Sequence, residues 1–170
     1  DIAMQFIGNL YDYYLSKNND FLNVVVATSG DTGAAAIDAI KGKNNMNIFV
    51  LHPNNKISKV QRKLMTTGNE KNVFNIAIDG NFDECQNLVK AMFSDIEFSK
   101  SIKMTGVNSI NWARIIAQAV YYFYSYFKLG KEIISFSVPT GNFGDVFAGY
   151  IAKRMGLPID KLIVATNEND

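Results

Sequence analysis

Five stretches of the chain are apolar with few polar interruptions: FLNVVVATS, MNIFVLHP, NVFNIAID, EIISFSVP and the KLIVAT of KLIVATNEND. Each is short, rich in β-branched or aromatic residues, and bounded by small polar residues, glycine or proline, which predicts buried strands rather than helices. Between them apolar residues recur at helical spacing. Ile2, Phe6, Leu10 and Tyr14 predict a helix over residues 2–17, broken by Asn18, Asn19 and Asp20. GDTGAAAIDAIKG predicts a helix closing near Gly42, and ISKVQRKLMTTG one with Ile57, Val60, Leu64 and Met65 inward that ends near Gly68. FDECQNLVKAMFSD carries Phe82, Leu88, Val89 and Met92; INWARIIAQAVYYFYSYFKLG is a long helix stopped at Gly130; NFGDVFAGYIAKRMG is the last.

Strands alternating with helices, and strands that are continuous apolar runs, predict an α/β chain: parallel sheets covered by helices. The pattern is irregular between Phe98 and Ser109, which is the expected boundary between a first lobe over 1–104 and the start of a second over 105–170. Ligands of such sheets bind beyond the carboxyl ends of the strands. Two glycine-bearing turns fall at that edge, SGDTG and TGNFGD.

Each turn has a bland and a chemical reading. In SGDTG, Ser29 or Asp31 would cap the following helix; alternatively the hydroxyls of Ser29 and Thr32, with nearby amides, form a pocket for a carboxylate or phosphate. TGNFGD bares the backbone where a strand becomes a helix, which suits an anion, yet it lacks both GxGxxG and the GK[ST] of a P-loop. Asp145 in the first helical turn complements the dipole but repels a phosphate unless it is turned aside. MNIFVLHP offers no acid to hold a ribose, which disfavours a dinucleotide. VNSINWARI gathers Asn108, Ser109, Asn111 and Arg114 at a helix start. Asn108 or Ser109 is the expected cap there, and the four together could wall a phosphoester site. These residues alone support an anion-binding α/β protein.

Composition narrows the chemistry further. The net charge of +1 over 170 residues gives no electrostatic case for nucleic acid or an anionic membrane surface. The longest apolar runs, such as Ile115 to Val120, are too short to span a bilayer. Cys85 is the only cysteine and His52 the only histidine, so no disulfide closes within the chain and no zinc cluster is available. Both are expected to be packed or surface residues. The stripe Tyr121, Tyr122, Phe123, Tyr124, Tyr126, Phe127 is expected to pack in the core and between lobes.

TSGDTG, VQRKLMTT, DGNFDECQ, NSINWARI, VPTGNFGD, GYIAKRMGLPI and ATNEND, in this order, resemble threonine synthase, in the branch found in many bacteria and fungi. The resemblance covers essentially the whole chain. It implies a pyridoxal-phosphate lyase of fold type II, tryptophan synthase β-like, converting O-phosphohomoserine and water to threonine and phosphate. By that match Gly141, Asn142, Phe143, Gly144 and Asp145 hold the phosphate of pyridoxal 5′-phosphate. Ser29, Asp31 and Thr32 contact substrate or cofactor ring, and Asn108, Ser109, Asn111 and Arg114 face the substrate phosphate. The family's Schiff-base lysine lies in a motif resembling FKD, which would put it immediately before Asp1. None of the 14 lysines present occupies that motif. The chain is therefore expected to be an internal segment, inactive by itself, of a cytoplasmic enzyme with a small-molecule substrate and neither nucleic-acid nor membrane partners. The competing readings are another fold-type-II enzyme, such as threonine dehydratase or a sulfhydrylase, and a non-catalytic anion-binding relative.

Overall fold

A computed structural model of the chain describes residues 2–108, 111–130, 132–139 and 143–166. They form two compact units that divide after Asn108. The first contains α1 (Ile2–Asn18), β1 (Leu22–Ala27), α2 (Asp31–Ile40), β2 (Met46–Pro53), α3 (Lys59–Thr66), β3 (Val73–Ile78), α4 (Phe82–Ser94), α5 (Ile96–Ser101) and β4 (Met104–Gly106). The second contains α6 (Trp112–Leu129), β5 (Ile134–Pro139), α7 (Gly144–Arg154) and β6 (Ile159–Ala165). The division falls later than 104 because β4 pairs with β1, Asn23 opposite Met104, and so belongs to the first unit's sheet.

That sheet runs β3-β2-β1-β4, every pair parallel. The three central valines of β1 explain its lack of alternation. Side chains along a strand point to opposite faces, so a strand covered on both sides must be apolar throughout. Val24 and Val26 join Met4, Ile37, Ile40, Ile48, Val50 and Met65 on the face covered by α1, α2 and α3. Val25 meets Leu51 and Cys85 on the face covered by α4. Cys85 and His52 are both buried.

On α1 the conspicuous apolar row stays outside, and on α3 the buried face is narrower than expected. Ile2, Phe6, Leu10 and Tyr14 are exposed, and α1 instead buries Ala3, Met4, Ile7, Gly8 and Leu15. The cause is close packing. A Cβ on Gly8 would stand 2.6 Å from the Ala39 carbonyl oxygen of α2, so small residues make the crossing. Gln5 donates to Asp38 (2.8 Å) and Lys43 to Asn9 (2.8 Å) along its border. On α3 only Met65 is buried, while Val60 and Leu64 are exposed.

The amino ends of the strands are tied by Asn72. Its amide nitrogen lies 2.9–3.1 Å from the carbonyls of Ile40, Lys43 and Met46, and its oxygen accepts from the Gly42 amide at 3.0 Å. One side chain thus serves the end of α2, the tight turn at Gly42 and the start of β2. Asn72→Ala should lower the unfolding free energy by about 2 kcal/mol, the scale of leaving such groups without their partners. A shifted urea midpoint at unchanged slope would show it.

In the second unit β5 and β6 are parallel neighbours joined through α7, a right-sized βαβ crossover. Ile115, Ala119 and Tyr122 of α6 pack with Val146, Ala148 and Ala152 of α7 and with Val138 and Ile159 of the strands. α6 ends at Gly130, whose left-handed conformation (φ 60°) lets its amide close on the Tyr126 carbonyl. The aromatic stripe divides: Tyr122 is buried, whereas Tyr121, Tyr124 and Phe127 are exposed. Among the described residues no helix is long and apolar enough to cross a membrane, and no cluster of His, Cys, Asp or Glu could hold a metal ion.

Candidate functional site

The turn from β1 into α2 is built by Thr28, not by the caps expected from sequence. Thr28 is 2% exposed, and its Oγ1 accepts from the amides of Gly30 (2.9 Å) and Gly33 (3.0 Å). The Gly30 N-cap itself supplies no side-chain cap. Ser29 is exposed, and the Asp31 carboxylate accepts from Gln61 Nε2 of α3 at 3.0 Å. Gly30 has φ 149°, a region that side chains avoid, and a Cβ on Gly33 would lie 2.5 Å from Thr28 Cγ2. Both glycines are therefore required by geometry. Among the described residues the amides of Asp31 and Thr32 donate to no protein acceptor. They sit at the positive end of α2 and form an anion-accepting edge.

This turn hangs at the point where the strand order reverses, β2 on one side of β1 and β4 on the other. A crevice of that kind is where ligands enter open α/β sheets. A cavity of about 170 Å³ opens there, lined among others by Ala27, Phe93, Gly106, Val107 and Asn108. Asn108, one of the four residues expected at a phosphoester, thus lies at the carboxyl end of β4.

In the second unit, Phe143 caps α7 in the left-handed conformation (φ 61°, ψ 4°) without a side-chain cap bond. Gly144 is buried behind it. Gly141 and Asn142 lie outside the described residues, as does Ser109. The Asp145 carboxylate accepts from the Val146 amide at 2.8 Å, so the acid is engaged along its own helix. Its carbonyl accepts from Tyr122 Oη at 2.8 Å, which ties α6 to the first turn of α7. Burial, and secondarily the Asp145 charge, push the Tyr122 phenol up to about 12, so it remains a donor well above neutral pH. Tyr122, Asp145, Gln118 and Pro139 border a cavity of about 240 Å³.

The α6 start also departs from expectation. Its cap is Asn111, whose side chain accepts from the Ala113 amide at 3.0 Å, rather than Asn108 or Ser109. Arg114 follows in the first turn and is 7% exposed. Burial pulls its guanidinium below its ordinary value, with Tyr121 opposing. A buried cation costs solvation, and at a helix start it also works against the dipole.

No family model matches the chain. It is 54% identical over 172 residues to the threonine synthase of Pseudomonas aeruginosa, and 51% identical over 182 residues to that of Saccharomyces cerevisiae. All of the chain is matched in both, against 37% and 35% of the relatives. The chain thus spans little more than a third of the length of the curated relatives it matches. The crystal structure of pyridoxal-phosphate-bound threonine synthase from Brucella melitensis superposes with a TM-score of 0.89 at 55% identity, over 100% of this chain and 37% of that one. The fold is that of the fold-type-II enzymes, as the resemblance implied, and its parallel sheets covered by helices are those the sequence pattern predicted.

Proposed function

This chain is homologous over its whole length to about a third of the threonine synthases, and on that premise we propose that it supplies the anion-gripping walls of such an enzyme. The reaction is the conversion of O-phospho-L-homoserine and water to L-threonine and phosphate. The observation that carries the reading is the coincidence of that homology with two helix starts, α2 and α7, whose N-caps lack side-chain caps at the carboxyl ends of parallel strands.

Pyridoxal 5′-phosphate fits the start of α7. A glycine there lets a polyanion approach the backbone, and the dipole favours it. We assign Gly141, Asn142, Phe143, Gly144 and Asp145 to its phosphate. When bound, the cofactor supplies an electron sink that eases breaking bonds at the carbons next to the substrate amine. The chain's own residues do the positioning. The Asp31 and Thr32 amides, with Ser29, receive the substrate carboxylate. Arg114, with Asn108, Ser109 and Asn111, holds the substrate phosphate and compensates its charge as it departs. Tyr122 keeps the first turn of α7 in place from behind. No lysine in the segment lies in the family's attachment motif, so the segment alone is expected to release no phosphate. A cytoplasmic location goes with this reading.

The test uses the full-length protein that contains this segment. Added pyridoxal 5′-phosphate should give a visible absorbance band, and O-phosphohomoserine should then yield phosphate and threonine in equal amounts. A band without threonine would move the chain to another fold-type-II reaction. Absence of any band would overturn the cofactor assignment.

A further inference from the structure

We propose that Gln61 is the positioning residue of the SGDTG turn: it holds the Asp31 carboxylate against α3 and so keeps the α2 amides open to a substrate carboxylate. The inference rests on the reading of that turn given above and deepens it.

Asp31 presents a difficulty for an anion site. It is the first residue of α2, where a carboxylate is drawn to its own helix's positive end and would compete with an incoming anion for the same amides. It does not take them. Its Oδ1 accepts from Gln61 Nε2 at 3.0 Å, while the Asp31 and Thr32 amides donate to no protein acceptor among the described residues.

The orientation of Gln61 is set in turn by Ser58, the cap of α3. Ser58 Oγ accepts from the Gln61 amide at 3.2 Å and donates to Gln61 Oε1 at 3.0 Å, which leaves Nε2 for Asp31. The Gln61 side chain also lies over Gly30, where a Cβ would stand 2.4 Å from Gln61 Cδ. Gly30 and Gln61 are thus shaped to each other. α3 therefore acts as a brace on the turn.

The chain Ser58–Gln61–Asp31 can be reversed in polarity, which gives the test. In the full-length protein Gln61→Glu sets two carboxylates together and should raise KM for O-phosphohomoserine about tenfold or more, the loss of one hydrogen bond to a charged group. The kcat and the cofactor absorbance should change little. Adding Asp31→Asn lets the new amide donate to the introduced carboxylate and should restore KM to within about threefold. Independently of turnover, amide hydrogen exchange across 27–36 should quicken in Gln61→Glu and slow again in the double variant. A double variant no better than Gln61→Glu, or unchanged exchange in Gln61→Glu, would overturn the assignment. If the parent protein makes no threonine, the functional reading fails, while the exchange measurement still decides the role of Gln61.

Discussion

Replacing Gly149 by valine should cost the second unit about 3 kcal/mol and, in the full-length protein, weaken the proposed pyridoxal-phosphate binding by tenfold or more. A glycine in the middle of a helix normally gives way to a side chain with a gain in stability. At Gly149 of α7 the sign reverses, because a Cβ would stand 2.6 Å from Tyr122 Cε1, 2.7 Å from Cζ and 2.9 Å from Leu162 Cδ2. The Tyr122 ring cannot simply swing aside. Phe136 meets it edge-on at 4.7 Å between centroids, and its hydroxyl is committed to the Asp145 carbonyl. Displacing the ring would add the loss of that hydrogen bond to the cost of overpacking, and the bond lost ties α6 to the first turn of α7. Stability and cofactor affinity should therefore fall together, the first read by urea denaturation and the second by titrating the absorbance band. Gly149→Ala should show the same direction in smaller measure. Gain of stability in the alanine variant would mean that α6 and α7 are not in close contact at this point.

Thr28→Val should be nearly as costly in the first unit, about 2–4 kcal/mol, although it preserves shape. Only the hydroxyl is lost, and with it the shared acceptor of the Gly30 and Gly33 amides. Both glycines are buried, so water does not readily replace it. The turn proposed to receive the substrate carboxylate would loosen, and in the full-length protein KM should rise with the fall in stability. Thr28→Ser retains the oxygen and should keep most of both. Equal loss in serine and valine variants would assign the effect to the methyl group, against the capping role.

The strands and their parallel order were legible because burial on both faces erases polar positions: VVV in β1 admits no reading with one solvated face. Helix faces were less legible. In α1 the crossing is made by Gly8 and Ala39, residues that carry almost no hydrophobic signal, while the conspicuous row of Ile2, Phe6, Leu10 and Tyr14 is exposed. β4 is three residues, MTG, too short to register as a run. At the site, glycine announced both turns. Thr28 was missed because caps are sought next to the helix, and it reaches in from the strand end. Tyr122 was hidden within an aromatic stripe whose members differ only in the direction they face. Gln61 gave no signal, since its partner is 30 residues away and only the fold brings them together.

The place of β4 beside β1 also bears on how the crevice comes into being. β1, β2 and β3 succeed one another with helical crossovers and can pair as they emerge. β4 must return past all of them, and the bond from Asn23 Nδ2 to the Ile102 carbonyl (2.6 Å) spans 79 residues. Contacts of such separation form late, because the entropy of closing the loop is met before any pairing offsets it. The cavity holding Asn108 is bounded by both strands and cannot precede that closure. In a chain made from its amino end, the SGDTG turn and its brace on α3 are complete while the opposite wall is still unmade. The crevice of the first unit is thus completed by a long-range pairing of strands rather than by neighbours in the sequence.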